Sequence, residues 1–202
     1  MSRDSIFSKL RASLESVGEK TLLPDFDDSA LVSKVRTTGT PREAFERNLT
    51  AAHGRVMDAP GDLIDFLKIE GLDLGYCDPS LMETIGNTLV SAGLELRTTF
   101  ERANYEDYRF GITRATGGIA ETGSLILDDT VTSDRMAALS PWVHIAVLSE
   151  SDIHRTLPDA VSNLGPSRNI IWVTGPSKTA DVEGILIEGV HGPGEQIAFI
   201  VA

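Results

Sequence analysis

The segment PREAFERNLTAAHGRVMDAPGDLIDFLKIEGLDLGYC, residues 41–77, decides the fold class. Pro41 opens a stretch in which Ala44, Phe45, Leu49 and Ala52 share one helical face, so a helix is read over residues 41–53, ended by Gly54. Residues 55–59 then read as a short strand. Residues 60–70 repeat the helical signal through Leu63, Ile64, Phe66, Leu67 and Ile69; Gly71 closes it, and residues 72–77 are a second strand candidate. Further on, residues 80–91 read as a helix and residues 94–98, after Gly93, as a strand. Helix and strand alternate. That pattern is the mark of an α/β architecture, a mostly parallel sheet flanked by helices.

Working back from Pro41, residues 21–40 are polar and interrupted by Pro24, Asp27, Asp28 and Gly39, which reads as a linker or mobile loop. Before it, Ile6, Phe7, Leu10, Leu14 and Val17 recur at helical spacing and Gly18 follows, so an amphipathic helix is expected over about residues 4–17. The expected organisation is an N-terminal helical arm with its linker, residues 1–40, and an α/β domain, residues 41–202.

Working forward, residues 111–202 change texture: they hold 10 of the 18 glycines and only 16 of the 48 charged residues. Apolar runs at 124–127, 143–148, 170–173 and 197–201 are bounded by Gly, Pro and Asp, as strands buried on both faces are. The segments between them are rich in Gly, Thr and Ser, which suits loops lining a site.

The 202 residues carry 18 Lys and Arg against 30 Asp and Glu, a net charge of −12. The deficit is even: residues 1–110 and 111–202 each net −6, so no basic patch is hidden by the total. Nucleic acid and anionic membrane are therefore excluded as expected partners. Cys77 is the single cysteine, so no internal disulfide forms and an iron–sulfur cluster cannot be held by this chain alone. No apolar run approaches the ~20 residues of a membrane span, and residues 1–18 lack a signal peptide's apolar core. A soluble cytoplasmic protein is expected.

Three stretches could carry chemistry. In GITRATGGIAETGSLIL, residues 111–127, Gly117, Gly118 and Gly123 let backbone approach a ligand, and Thr116, Thr122 and Ser124 add short hydroxyls. Glu121 is its only carboxylate, a candidate for acid/base work or, equally, for bracing loop amides or a helix end. The spacing is not the dinucleotide GxGxxG. In TGPSKTADVE, residues 174–183, a strand–loop–helix junction is expected, with Ser177 or Thr179 capping and Asp181 and Glu183 in the first turn. Exposed amides and Lys178 would then hold a carboxylate or phosphate; a well-capped helix is the plainer alternative. In GVHGPG, residues 189–194, His191 is a candidate proton donor or simply a turn residue. His144 reads as a hydrogen-bonded core histidine, and His53 and His154 as surface residues on helices. The four histidines share no metal-ligand spacing, so no metal site is expected.

Taken together, GIT with IAETGSL (residues 111–125), Pro141 with HIAV (144–147), GPSKTADVE (175–183) and GVHGP (189–193) resemble the LUD domain, and within it the lactate-utilization protein C family. Arg114 and the Thr116, Gly117, Gly118 triplet depart from the usual pattern. The resemblance implies an α/β fold like that of sugar-phosphate isomerases and CoA transferases. It also implies a part in oxidising L-lactate to pyruvate alongside iron–sulfur partner proteins, with no cofactor in this chain and a small anionic ligand in a Gly/Thr-rich cleft. The alternative is a stand-alone isomerase- or CoA-transferase-like enzyme with Glu121 as its carboxylate.

Overall fold

The computed structural model describes residues 2–15, 34, 36–132, 134–167, 169–180 and 185–202. It divides into two compact units, Met1–Leu31 and Val32–Ala202. In the first, α1 (Arg3–Glu15) has no buried residue, and Ile6, Phe7, Leu10 and Leu14 are all exposed. The expected extension through Val17 to a stop at Gly18 lies outside the described residues.

The second unit is built on a six-stranded sheet. Its strands are β1 (Arg55–Met57), β2 (Leu74–Cys77), β3 (Glu95–Arg97), β4 (Phe110–Arg114), β7 (Val143–Ser149) and β12 (Glu195–Val201), in the order β1-β12-β7-β4-β2-β3 and parallel throughout. The chain reaches these strands through α2 (Pro41–Ala51), α3 (Pro60–Ile69) and a helical run ending in α4 (Asn87–Ser91). Local chemistry fixes the helix starts. Thr40 and Glu43 form a reciprocal capping box at α2, and Pro occupies the first turn of both α2 and α3. The helix expected over 80–91 is not uniform: a 3-10 turn (Pro79–Leu81) and a π segment (Met82–Gly86) precede α4. Gly86 allows this tight stacking, since a Cβ there would meet Met82 Sδ at 2.5 Å.

Alternation along the strands separates two apolar layers. Ile112, Val143, Ile145, Ile197 and Phe199 pack with Leu63 and Leu67 of α3 and with Leu81, Ile85 and Leu89 of the helical run. On the other face, Ala146, Leu148, Ala198 and Ile200 meet Ala44, Phe45 and Leu49 of α2 together with Leu125 and Leu127. The last two belong to a second, four-stranded sheet, ordered β8 (Ile153–His154), β5 (Gly117–Ile119), β6 (Ser124–Asp128) and β9 (Ile170–Val173). It is mixed: β5–β6 and β6–β9 are antiparallel, β5–β8 parallel. Its outer face is covered by α6 (Leu157–Ser162) through Ile119, Ile126 and Ala160. Small residues bring the layers together. At Gly111 a Cβ would lie 1.8 Å from the Ala137 carbonyl oxygen of α5 (Arg135–Leu139).

The apolar runs at residues 124–127 and 170–173, expected as strands buried on both faces, form β6 and β9 of this second sheet; β6 is buried throughout, whereas β9 is half-exposed at its edge, with Trp172 at 41%. An apolar run alone does not say which sheet it joins. His154 sits on the two-residue strand β8 rather than on a helix, and His53 follows α2 in the left-handed region at φ 71°.

Candidate functional site

Strand β4 leaves the parallel sheet at Arg114, and Ala115 and Thr116 turn the chain into β5. Thr116 fixes this corner twice: its amide donates to the Ile126 carbonyl at 2.9 Å, and its hydroxyl donates to the same oxygen at 3.3 Å. The glycines that follow make room for protein. A Cβ on Gly118 would lie 2.9 Å from Leu148 and 3.2 Å from the Phe45 ring, and one on Gly117 would lie 3.2 Å from Ile126. Gly123 is required twice over, with φ 69° and a Cβ position 2.2 Å from the Leu49 amide nitrogen.

Glu121 is buried in the turn between β5 and β6. Its Oε2 accepts a hydrogen bond of 3.2 Å from the Leu157 amide, the first residue of α6, and its own amide donates to the Arg155 carbonyl. A carboxylate at a helix N-terminus satisfies an orphan N–H and faces the positive end of the dipole, so this contact gives Glu121 a bracing role. Glu121→Ala is expected to cost about 1–2 kcal/mol, read as a melting-temperature drop of a few degrees. Glu121→Gln retains an acceptor oxygen and is expected to cost less; thermal melts of the two variants check this.

The two Gly/Thr-rich stretches meet. Thr122 and Ser124 hydroxyls are 2.7 Å apart, and Ser124 Oγ lies 2.5 Å from Thr174 Oγ1, joining residues 50 apart in sequence. Beyond Thr174 the described residues up to 180 are not helical, and the first turn expected around Asp181 and Glu183 lies outside the described residues. Gly175, at φ 73°, and Pro176 turn the chain, and β10 (Lys178–Thr179) pairs antiparallel with β11 (Ile187–Glu188), placing Thr179 opposite Ile187. The ladder takes up backbone groups that a helix would have used. Lys178 is occupied: Nζ donates to the Ala52 carbonyl at the end of α2 at 2.6 Å and lies 3.6 Å from Glu188, whose Oε1 is also 2.7 Å from His53 Nδ1. This lysine clamps the hairpin to α2.

Ser177 and His191 lie at the amino-terminal edge of the parallel sheet. The turn at residues 189–194 arches over Trp142, whose ring would meet a Cβ on Gly189 or Gly194 at 2.4 or 2.3 Å. Ser177 anchors the turn, its amide donating to Pro193 and its carbonyl accepting from Gly189. His191 borders two cavities. One, about 450 Å³, is walled by Tyr105, Tyr108, Arg109 and Trp142; the other, about 250 Å³, by Ser177, Trp172, Thr174 and Gln196. Behind the second is a buried row across three strands: Thr113 Oγ1 lies 2.9 Å from His144 Nε2, and His144 Nδ1 lies 2.8 Å from Gln196 Oε1. Burial pushes the His144 imidazole down to about 4, so it is neutral at physiological pH. His144 is thus the hydrogen-bonded core histidine the sequence suggests. Trp142, Arg109 and Gln196 went unmarked there because nothing in their spacing sets them apart from ordinary strand-flanking residues.

Apart from Lys178 and Thr179, which hold the β10–β11 hairpin, the candidate residues fall into two groups. Thr116, Gly117, Gly118, Glu121, Thr122, Gly123 and Ser124 shape the second sheet and its seat on α2 and α6, whereas Ser177 and His191 border open space.

The family model described as LUD domain matches residues 86–201. Lactate utilization protein C of Deinococcus radiodurans is 38% identical over 87 residues, 41% of either chain. Its Bacillus subtilis namesake is 31% identical over 96 residues, 44% of this chain and 40% of that one. An uncharacterized protein of Neisseria meningitidis is 32% identical over 96 residues, 45% of this chain and 41% of its own. The matched stretches thus span about two fifths of these relatives' length. A crystal structure of a DUF162 family protein from Deinococcus radiodurans superposes with a TM-score of 0.61 at 22% identity, covering 80% of this chain and 96% of that one, and shares the fold. With the family's model covering more than half of its length, this α/β chain belongs to the LUD domain family.

Proposed function

We propose that this chain is the LUD component of a bacterial lactate-utilization system that oxidises L-lactate to pyruvate in the cytoplasm, alongside partner proteins carrying iron–sulfur centres. The observation carrying the reading is the match to relatives named lactate utilization protein C, beside the LUD domain match over residues 86–201. The cysteine chemistry supports the division of labour. Cys77 is buried, and burial, with Asp78 beside it, pushes its thiol up to about 12, so it is neither a thiolate ligand nor a nucleophile at neutral pH. Among the described residues no three His, Cys, Asp or Glu side chains converge as a metal site, and no helix is long and apolar enough to cross a membrane. On this reading partner chains hold the electron carriers, and this chain contributes binding of a small carboxylate. The Gly/Thr-rich segment fixes the corner that follows Arg114 through the two hydrogen bonds of Thr116.

Deleting the gene, in a host with no other L-lactate-oxidising enzyme, is expected to impair growth on L-lactate and spare growth on glucose. Normal growth of the deletion strain on L-lactate contradicts the reading. The purified chain is expected to be colourless, and native Cys77 to resist iodoacetamide until the protein is unfolded. Stoichiometric iron by elemental analysis, or rapid native alkylation by mass spectrometry, would count against this division of roles.

A further inference from the structure

Parallel α/β sheets bind ligands outside the carboxyl ends of their strands, where successive connections depart in opposite directions. Here that point lies between β2 and β4: from β2 the chain runs outward to the edge strand β3, and from β4 it runs the other way to β7. At this edge, opposite the clefts bordered by His191, a compact cavity of about 100 Å³ opens at the ends of β4, β7 and β12. Its polar wall is made by Arg114, Thr84, Ser149 and Asp152, and its apolar wall includes Leu81 and Val147.

The charges are arranged for a guest. Arg114 closes β4 and is half-buried, and its guanidinium has no hydrogen-bond or ion-pair partner among the described residues. Asp152 ends the 3-10 turn after β7 and borders the same cavity from its exposed rim, and its carboxylate has no hydrogen-bond or ion-pair partner among the described residues. Both side chains line one small cavity and no salt bridge joins them, so a guest seated there can meet both. The guanidinium fork matches a carboxylate in bidentate geometry, and Asp152, an acceptor only, calls for a donor such as a hydroxyl. Thr84 and Ser149 supply neutral hydroxyls beside them, and Leu81 and Val147 suit a short alkyl group. The volume is far below the ~300 Å³ or more of sites that take drug-sized ligands.

Resting on the lactate reading, we infer that this cavity binds a small 2-hydroxycarboxylate, with Arg114 holding the carboxylate and Asp152 accepting the hydrogen bond of the 2-hydroxyl. A 2-oxo acid or an unsubstituted acid offers Asp152 no donor and forgoes that hydrogen bond, so both bind more weakly.

The test is isothermal titration and thermal melting of the intact protein with sodium L-lactate, pyruvate and propionate, using sodium chloride to match ionic strength. L-lactate is expected to bind about 10- to 100-fold more tightly than propionate, the range that one hydrogen bond to a charged group supplies. Arg114→Ala should abolish the response to all three acids, and Arg114→Lys should weaken it. Asp152→Asn should retain binding and narrow the gap between L-lactate and the other two. The melting temperature without ligand and the far-UV spectrum report whether each variant is folded, and Asp152→Asn carries the test if Arg114→Ala is not. Absence of lactate binding by the wild type, undiminished binding by folded Arg114→Ala, or unchanged selectivity in Asp152→Asn each overturns the assignment. Failure of this site is distinct from failure of the lactate role: the deletion strain reports on the role alone, whatever the titrations show.

Discussion

Gly123→Ala is expected to lower the melting temperature by roughly 5–15 °C, one of the largest effects of any single methyl group in this protein. Two costs add. The residue sits at φ 69°, where a Cβ is strained, and the new methyl would stand 2.2 Å from the Leu49 amide nitrogen and 2.5 Å from the Asn48 carbonyl carbon, backbone atoms of α2 that cannot rotate away. Strain of about 1 kcal/mol from the left-handed conformation and 1–3 kcal/mol from overpacking sum to about 2–4 kcal/mol. α2 would have to shift, and Phe45 and Leu49 with it, both fully buried between the two sheets. Thermal melts and urea titrations of wild type and variant check this. A change below about 1 °C would mean that the turn between β5 and β6 does not seat on α2 as described.

The second large effect is acid sensitivity centred on His144. Burial lowers its imidazole from an ordinary value near 6.5 to about 4 in the folded chain. Between those values the unfolded chain takes up a proton that the folded chain refuses, so stability falls as pH drops through that window. Above about 6.5 the group is neutral in both states, and below about 4 it is charged in both, so no further change comes from it. The loss across the window is on the order of 3 kcal/mol. Urea denaturation at intervals from pH 7 to pH 4 is expected to show a steeper decline for wild type than for His144→Gln. Parallel declines would place the acid sensitivity in the carboxylates alone.

Much of the architecture was legible in the sequence because apolar periodicity and helix punctuation agree locally. The helices at α2 and α3 and the strands β1, β2 and β3 fall within the expected stretches, since Pro41, Pro60, Gly54 and Gly71 mark limits there, and β7 and β12 contain the expected apolar runs and exceed them by one and two residues. The second sheet was not legible. The apolar run of β6 carries no mark distinguishing it from a central parallel strand, and its assignment depends on the corner at Thr116 that only three-dimensional packing defines. The region around Lys178 was misread because a Ser-Lys-Thr sequence with acidic residues beyond it is consistent with a capped helix. The competing force, capture of Lys178 by the Ala52 carbonyl and of β10 by β11, is non-local.

The site shows the same limit. Glycines and hydroxyls in the segment 111–127 suggest ligand contact by composition, yet Gly118 and Gly123 face Phe45 and the α2 backbone, and Ser124 bonds to Thr174. The two charges at the carboxyl edge, Arg114 and Asp152, lie 38 positions apart with no motif linking them, and they line one cavity because β4 and β7 are neighbours in the parallel sheet. What the sequence did carry was the order of motifs across the C-terminal half, and it is this order that the family match spans.

The most direct measurement is L-lactate-dependent pyruvate formation in an extract of cells lacking this gene and any other L-lactate-oxidising enzyme. Extract from the deletion strain is expected to form no pyruvate beyond background, and added purified wild-type protein is expected to restore it. Pyruvate formation at the full wild-type rate without the protein would contradict its proposed place in lactate utilization.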